Sequence, residues 1–284
     1  MAARVGGALS SAAFNQSMSP AVSPGTSATG VAPPYPSPSG MYHWHMADYD
    51  LLAEFYDRLM SDSSLRSKQV MRCIERYGPA AASLLELGCG TGAVLSGLSA
   101  VGSLAGLDIS PNMLDIARAR LPGVQFFQGD ISSFDLGRRF DVIVCTYDVL
   151  NHLTEFTRWI SCFTCAREHL TEGGLFIFDI NTVGHLNREC EQPQVHEFDG
   201  NTVIINVSAE ERAVYEWDVR IFEHMAGNQY RLQHSRIREL GVEIRQILEA
   251  MPSGFELLDL ADSAGGTPDD ESERAFFVYR RQRS

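Results

Sequence analysis

Leu84-Leu85-Glu86-Leu87-Gly88-Cys89-Gly90-Thr91-Gly92 decides how this chain is read. Leu84, Leu85 and Leu87 supply an apolar run of strand length. Gly88, Gly90 and Gly92 remove three Cβ atoms where the backbone must bend and let a ligand approach. A helix is expected from Ala93, its free N–H groups facing whatever lies over the turn. Strand, glycine turn and helix in that order make a nucleotide-binding corner. Gly88-x-Gly90-x-x-Ala93 also satisfies the loose dinucleotide pattern, so the glycines leave the choice of nucleotide open.

The 284 residues, 44% of them hydrophobic, suffice for one sizeable core with or without a small subdomain. A formal net charge of -13 argues against binding a phosphate backbone or an anionic lipid surface. No apolar run is long enough to span a bilayer. The six cysteines fall mostly inside expected strands and helices, as buried reduced thiols of a cytoplasmic protein would. Cys162-x-x-Cys165 has no second pair and reads as two thiols on one helix.

Residues 1–40 are rich in Ala, Ser, Gly and Pro, with Arg4 as their one charge, and read as a disordered tail. Order is expected from residue 41. Leu52, Phe55, Tyr56 and Leu59 share one face of a helix over residues 48–60. A second helix is expected over 67–77, closed by Gly78-Pro79. After the glycine turn, the helix from Ala93 is expected to reach Ala100. Strands are expected at 103–108, 124–128, 140–145 and 175–181, with a helix opened by Ser110-Pro111 and another over 155–169. Three antiparallel strands are read at 202–207, 214–222 and 229–234, then a helix from Val242 and strands at 255–260 and 275–280.

Acids punctuate this order. Glu86, Asp108 and Asp130 follow three successive strands. An acid at the second strand's end can reach vicinal ribose hydroxyls in either cofactor class, whereas a nicotinamide fold has no need of Gly129-Asp130. Glu86-x-Gly88-x-Gly90-x-Gly92 resembles motif I of the class I S-adenosylmethionine-dependent methyltransferases. Gly106-Leu107-Asp108-Ile109-Ser110-Pro111-Asn112-Met113-Leu114 is similar to the motif II region of the same family. The resemblance spans roughly residues 48–281. It implies an α/β, Rossmann-like seven-stranded sheet with an antiparallel last strand and helices on both faces, plus a small antiparallel β insertion near 200–240. The implied organisation is a tail (1–40), a cofactor-binding core with N-terminal lid helices (41–185), an inserted substrate cap (186–240) and the remainder of the core sheet (241–284).

For the site, the resemblance implies S-adenosyl-L-methionine as cofactor, with Glu86, Gly88, Cys89, Gly90, Gly92, Asp108, Ile109, Met113 and Cys145 around it. It gives Asp130 the adenine amino group and Ile131 a backbone N–H toward the ring. Tyr49 and Tyr56 would sit on the lid, where an aromatic face attracts a sulfonium. The loop after the fourth strand, Thr146-Tyr147-Asp148-Val149-Leu150-Asn151-His152-Leu153, borders the methyl group in this architecture. Methyl transfer is an in-line displacement that rests on alignment. A neutral amine needs little more, whereas a hydroxyl benefits from a general base; His152 is the candidate, with a capping or packing role as the alternative. Tyr147, Asp148 and Asn151 would orient the acceptor. Asp179 and Asn181 either line the same pocket or end the fifth strand.

The expected activity is N- or O-methylation of a small molecule, without nucleic acid, membrane or metal, by a monomer or a homodimer. No Asp/Asn-Pro-Pro-Tyr/Phe motif suggests a DNA amino-methylating enzyme, and no Asp-Asn pair continues Asp141 into a magnesium site. A nicotinamide-dependent oxidoreductase and a noncatalytic cofactor-binding subunit are the rival readings.

Overall fold

The apolar run becomes β1 (Ser83–Leu87), an inner strand of a seven-stranded sheet. The computed structural model describes residues 53, 55–58, 63–79 and 83–283. The tail expected over residues 1–40, Tyr49 and most of the expected 48–60 helix lie outside these residues. Of that helix, residues 53 and 55–58 are described and are helical.

α1 (Ser63–Tyr77) precedes β1 and buries Ser67, Val70 and Ile74. After the glycine turn the helix α2 is a single turn, Ala93–Ser96, and does not reach Ala100. The reason is a close crossing. A Cβ on Gly97 would stand 2.5 Å from Ser67 Oγ, and that hydroxyl donates to Val94 O at 2.9 Å. β2 (Ser103–Asp108) then pairs parallel with β1. Ser110 caps α3 (Pro111–Arg120), accepting from the Met113 amide at 3.1 Å, with Pro111 in the first turn. β3 (Gln125–Gln128) lies outside β2, and β4 (Phe140–Cys145) pairs with β1 on its other side.

A short 3-10 turn, Val149–His152, leads to α4 (Phe156–His169). β5 starts earlier than expected, at Leu170, and runs to Asn181. Its register against β4 shifts between Phe140 and Val142, opposite a kink at Gly173 with φ 78. A helix α5 (Val183–Glu189) follows that the sequence pattern did not announce.

The chain then builds a separate antiparallel sheet from β6 (Gln194–Phe198), β7 (Asn201–Ala209), β8 (Val214–Ala226) and β9 (Gln229–Leu240). The insertion therefore has four strands where three were expected. β6 is mostly polar with one exposed valine, which hides it from a hydrophobic pattern. α6 (Ile244–Ala250) returns the chain to β10 (Phe255–Asp262) and β11 (Arg274–Arg281). β11 runs antiparallel between β5 and β10, giving the order β10-β11-β5-β4-β1-β2-β3.

Helices cover both faces of this sheet. Val70, Ile74, Val94, Leu95 and Leu114 meet Leu84, Val142, Val144 and Ile177 on one face. Trp159, Cys162, Phe163, Ala166 and Ile247 meet Leu85, Leu87, Ile143, Phe176, Phe178 and Phe277 on the other. The rings of Phe178 and Phe277 stack across β5 and β11, 4.7 Å apart. Strand ends converge on one edge of the sheet, where the loops after β1, β2 and β4 meet.

Trp159 is fully buried under that edge, and its indole N–H donates to Leu153 O at 2.7 Å, closing the loop after β4. Truncation leaves a cavity and an orphaned carbonyl. Trp159→Ala is expected to cost about 3–5 kcal/mol in urea unfolding. A loss below about 1 kcal/mol would place the indole outside the core.

Candidate functional site

The glycine turn hangs from the end of β2. The amides of Gly88 and Cys89 both donate to Leu107 O, at 2.7 and 3.1 Å, and the Gly90 amide donates to Asp108 Oδ2 at 2.7 Å. Gly88, Gly90 and Gly92 have φ of 66, 50 and 73, a region costly for any residue with a Cβ. Close approach adds a second demand at Gly88, where a Cβ would stand 2.4 Å from Val149 Cγ1.

A cavity of about 300 Å³ opens over this turn. Glu86, Gly88, Cys89 and Gly90 line one side, Thr146 and Tyr147 another, and Tyr56, Asp57, Thr91 and Arg120 lie around it. The Thr91 hydroxyl donates to Asp57 Oδ1 at 2.6 Å. Arg120 donates to Thr91 O at 2.9 Å and pairs with Asp57. These bonds hold the helical residues 55–58 over the turn. Phe55 packs on Val203, Val219 and Ile221 of the inserted sheet, and Arg58 pairs with Asp199. The segment thus touches both the glycine turn and the insertion.

Glu86 is buried, with Oε2 lacking any hydrogen-bond partner. Burial, and secondarily the charge of Asp108, push its carboxyl well above the ordinary range, against a backbone hydrogen bond from Leu95. Thr146 Oγ1, also on the cavity, is another buried atom without a partner. Unpaired buried polar atoms on a cavity wall are costly unless a ligand completes them. A zwitterionic amino-acid moiety, carrying an ammonium and a carboxylate, offers such partners. In that sense the residues fit S-adenosylmethionine: Glu86, the turn and Thr146 would hold its methionine end.

The other expected cofactor residues fall in different places. Asp108 stands behind the turn, its second oxygen accepting from the Ser110 amide at 2.9 Å. A carboxylate has about four acceptor positions, so it can serve the turn and a ribose hydroxyl together. Asp130 does not line this cavity. It caps its own turn through the amide and hydroxyl of Ser132, at 2.8 and 2.7 Å, and pairs with Arg158 of α4. The three acids therefore do not ring this one cavity. Gly92 caps α2 and faces Ala117 and Leu121 of α3. Met113 and Ile131 are buried, and Ile109 is exposed. Cys145 is a correction: it lies in the core, where burial keeps its thiol neutral, and Thr146 takes the wall position.

The loop after β4 is strained. Tyr147 and Asp148 have φ of 61 and 53, unusual for residues other than glycine. Buried bonds hold it there. The Asp148 amide donates to Asp179 Oδ1 at 2.9 Å. Arg274 on β11 bridges the two acids, at 2.8 Å to Asp148 Oδ1 and 3.1 Å to Asp179 Oδ1. Arg66 of α1 lies 3.3 Å from Asp179 Oδ2 and 4.9 Å over the Tyr147 ring. Asn151, fully buried, donates to Asn181 O and Leu240 O, both at 3.0 Å, and accepts from the Asn181 amide at 3.1 Å. One amide side chain thereby ties this loop, β5 and the insertion together.

Tyr147 lines the cavity, whereas His152 sits one 3-10 turn beyond it. His152 Nδ1 lies 3.3 Å from Arg238 O, so Nδ1 carries the hydrogen. Nε2 lies 3.7 Å from Asp148 Oδ2. Burial pulls the pKa of His152 below its ordinary value, opposed by Asp148, which keeps the ring neutral and competent as a base. Asp57, Arg120 and Arg274 brace this site and escape sequence reading, because their partners are remote along the chain.

Comparison with known proteins agrees with this geometry. Residues 84–174 match the methyltransferase-domain family. A protein of Geobacillus sp. (strain WCH70), provisionally named a methyltransferase, is 28% identical over 256 residues, covering 82% of this chain and 99% of its own length. The dTDP-3-amino-3,6-dideoxy-alpha-D-glucopyranose N,N-dimethyltransferase of Streptomyces fradiae is 38% identical over 113 residues, 38% of this chain and 44% of that enzyme. The alignment thus spans less than half of the sugar enzyme. The crystal structure of an S-adenosylmethionine-dependent methyltransferase from Clostridium acetobutylicum superposes with a TM-score of 0.73 at 22% identity, covering 83% of this chain and 99% of that one. Residues 84–174 thus match a methyltransferase domain, and the fold is that of the solved S-adenosylmethionine-dependent methyltransferase. Among the described residues, no helix is long and apolar enough to cross a membrane.

Two measurements test the cofactor wall. Asp108→Ala removes the acceptor of the Gly90 amide, and calorimetric titration with S-adenosylmethionine should show at least a tenfold weaker Kd. For Glu86 the sign follows from its raised pKa. The folded chain keeps a proton that the unfolded chain loses near pH 4.3, so Glu86 costs stability increasingly as pH rises above that point. Glu86→Gln should therefore gain stability over the native protein at pH 8 relative to pH 5, and bind cofactor more weakly. A pH-independent difference would contradict the assignment.

Proposed function

We propose that this chain transfers a methyl group from S-adenosylmethionine to an amino group of a small molecule, with amino sugars as the first class to examine. The observation that carries the reading is continuity: Tyr147 belongs both to the cofactor cavity and to the loop that presents Asp148 and His152. A nucleophile held at that loop would face the cavity. The resemblance to a dTDP-amino-sugar N,N-dimethyltransferase supports an amine over a hydroxyl.

The bound cofactor supplies an electrophilic methyl group with a neutral thioether as leaving group. The protein supplies alignment and a dry site. Tyr56 closes the cavity from the lid, its phenol kept protonated chiefly by burial and then by the charges of Asp148, Asp108 and Glu86. Tyr147 is fixed by its backbone and by Arg66 above its ring. His152, neutral with Nδ1 engaged, can take a proton at Nε2. The acidic surface repels nucleic acid. Six free cysteines accord with a reducing compartment such as the cytoplasm.

The test is incubation with isotopically labelled S-adenosylmethionine and a panel of dTDP-amino sugars, their hydroxyl counterparts and a metabolite extract, read by mass spectrometry. The expected result is label on nitrogen of an amine. Label on oxygen alone would transfer the site to hydroxyl acceptors, and an absence of labelled product throughout would refute the reading.

A further inference from the structure

β9 brings an acid to the loop after β4. Glu239 is nine-tenths buried and more, at 3% exposure. One carboxylate oxygen of Asp148, one ring nitrogen of His152 and one carboxylate oxygen of Glu239 all lie within 4.8 Å of one another. Asp148 comes from the loop after β4 and Glu239 from the insertion, so the cluster exists only because that loop meets the inserted sheet.

The charges around it are unevenly matched. Arg274 and Arg66 answer Asp148 and Asp179, two cations against two anions. Glu239 is a third acid, and no cation closes an ion pair with it among the described residues. Its Oε2 accepts from Asn181 Nδ2, at 3.0 Å. The other end of that same buried amide, Asn181 Oδ1, has no hydrogen-bond donor. Burial, and then the charge of Asp148, hold the Glu239 carboxyl well above the ordinary range. A buried acid without a cation, beside a buried oxygen without a donor, lacks one positively charged donor.

We propose that Glu239, Asp148 and Asn181 Oδ1 bind the ammonium group of a small-molecule amine, and that Glu239 accepts its proton. The proposal rests on the reading of this chain as an amine methyltransferase and names the residues that read the amine. An ammonium has three or more donors and one charge. One positive charge neutralises the cluster, whereas a divalent metal would leave it positive beside two arginines. The proton balance is simple. R–NH3+ and the Glu239 carboxylate become R–NH2 and the Glu239 carboxylic acid, one N–H bond breaking as one O–H bond forms. The nitrogen lone pair is then free to attack. Placing Glu239 on the insertion also makes that sheet part of the acceptor site, not only its cover.

Rubidium ion is an ammonium-sized cation visible by anomalous scattering, and it tests the site without knowledge of the acceptor. Crystals of the full chain soaked in rubidium chloride should show an anomalous peak between Asp148, Glu239 and Asn181. The same soak of Glu239→Gln, which keeps the side-chain shape, should lose it. No peak in the native protein, or a peak that persists in Glu239→Gln, would overturn the proposal. A manganese soak that gives a peak bonded to Asp148, His152 and Glu239 would overturn it in favour of a metal centre. None of these outcomes depends on whether the acceptor panel yields a methylated amine, so a failed soak and a failed panel are separate results.

Discussion

Three consecutive amides hung from one strand end set the geometry of this protein. Gly88 and Cys89 donate to Leu107 O, and Gly90 donates to the Asp108 carboxylate. The chain can make that turn only with φ positive at Gly88 and Gly90, which is why the glycines stand where they do. The turn in turn fixes the mouth of β1, the position of α2 and the floor of the cavity. Its tight approach to Val149 carries the same constraint into the loop after β4.

That loop stores strain and spends buried charge to keep it. Left-handed backbone at Tyr147 and Asp148 costs on the order of 1–3 kcal/mol per residue. Charge-assisted bonds from Arg274 to Asp148 and Asp179, with Arg66 paired ionically to Asp179, are the natural compensation, since two arginines and two aspartates share one buried array. The array joins α1, the loop after β4, β5 and β11. It fixes the aromatic wall of the cavity from the side opposite the glycine turn. Asn151 extends the same fastening to the insertion through Leu240 O.

The core sheet was legible in the sequence because parallel buried strands are continuous apolar runs and their ends carry glycines and acids. β4 is predicted to the residue, 140–145, and Ser110-Pro111 marks the start of α3 as expected. Legibility failed where tertiary contact overrides local pattern. α2 stops at Ser96 because α1 crosses at Gly97, a contact no window of sequence contains. β6 alternates weakly and was missed. In the site, the residue types of motif I announced Glu86 and the turn, and Tyr147 was announced by its place after β4. Cys145 was placed one residue short of the wall, since a strand's last side chain can point into the core while the next faces the ligand. Glu239 and Arg274 carry no local signal at all. Glu239 meets Asn181, 58 residues away, and Arg274 meets Asp148, 126 residues away.

The central claim is that the space between the glycine turn and Tyr147 is where the cofactor binds. A crystal structure of the full chain with S-adenosylhomocysteine tests it most directly. The account predicts ligand density in the cavity bounded by Gly88, Gly90, Thr146 and Tyr147, with a donor of the ligand's amino group on Glu86. Density elsewhere on the sheet edge, or Glu86 left without a partner in the complex, would contradict it.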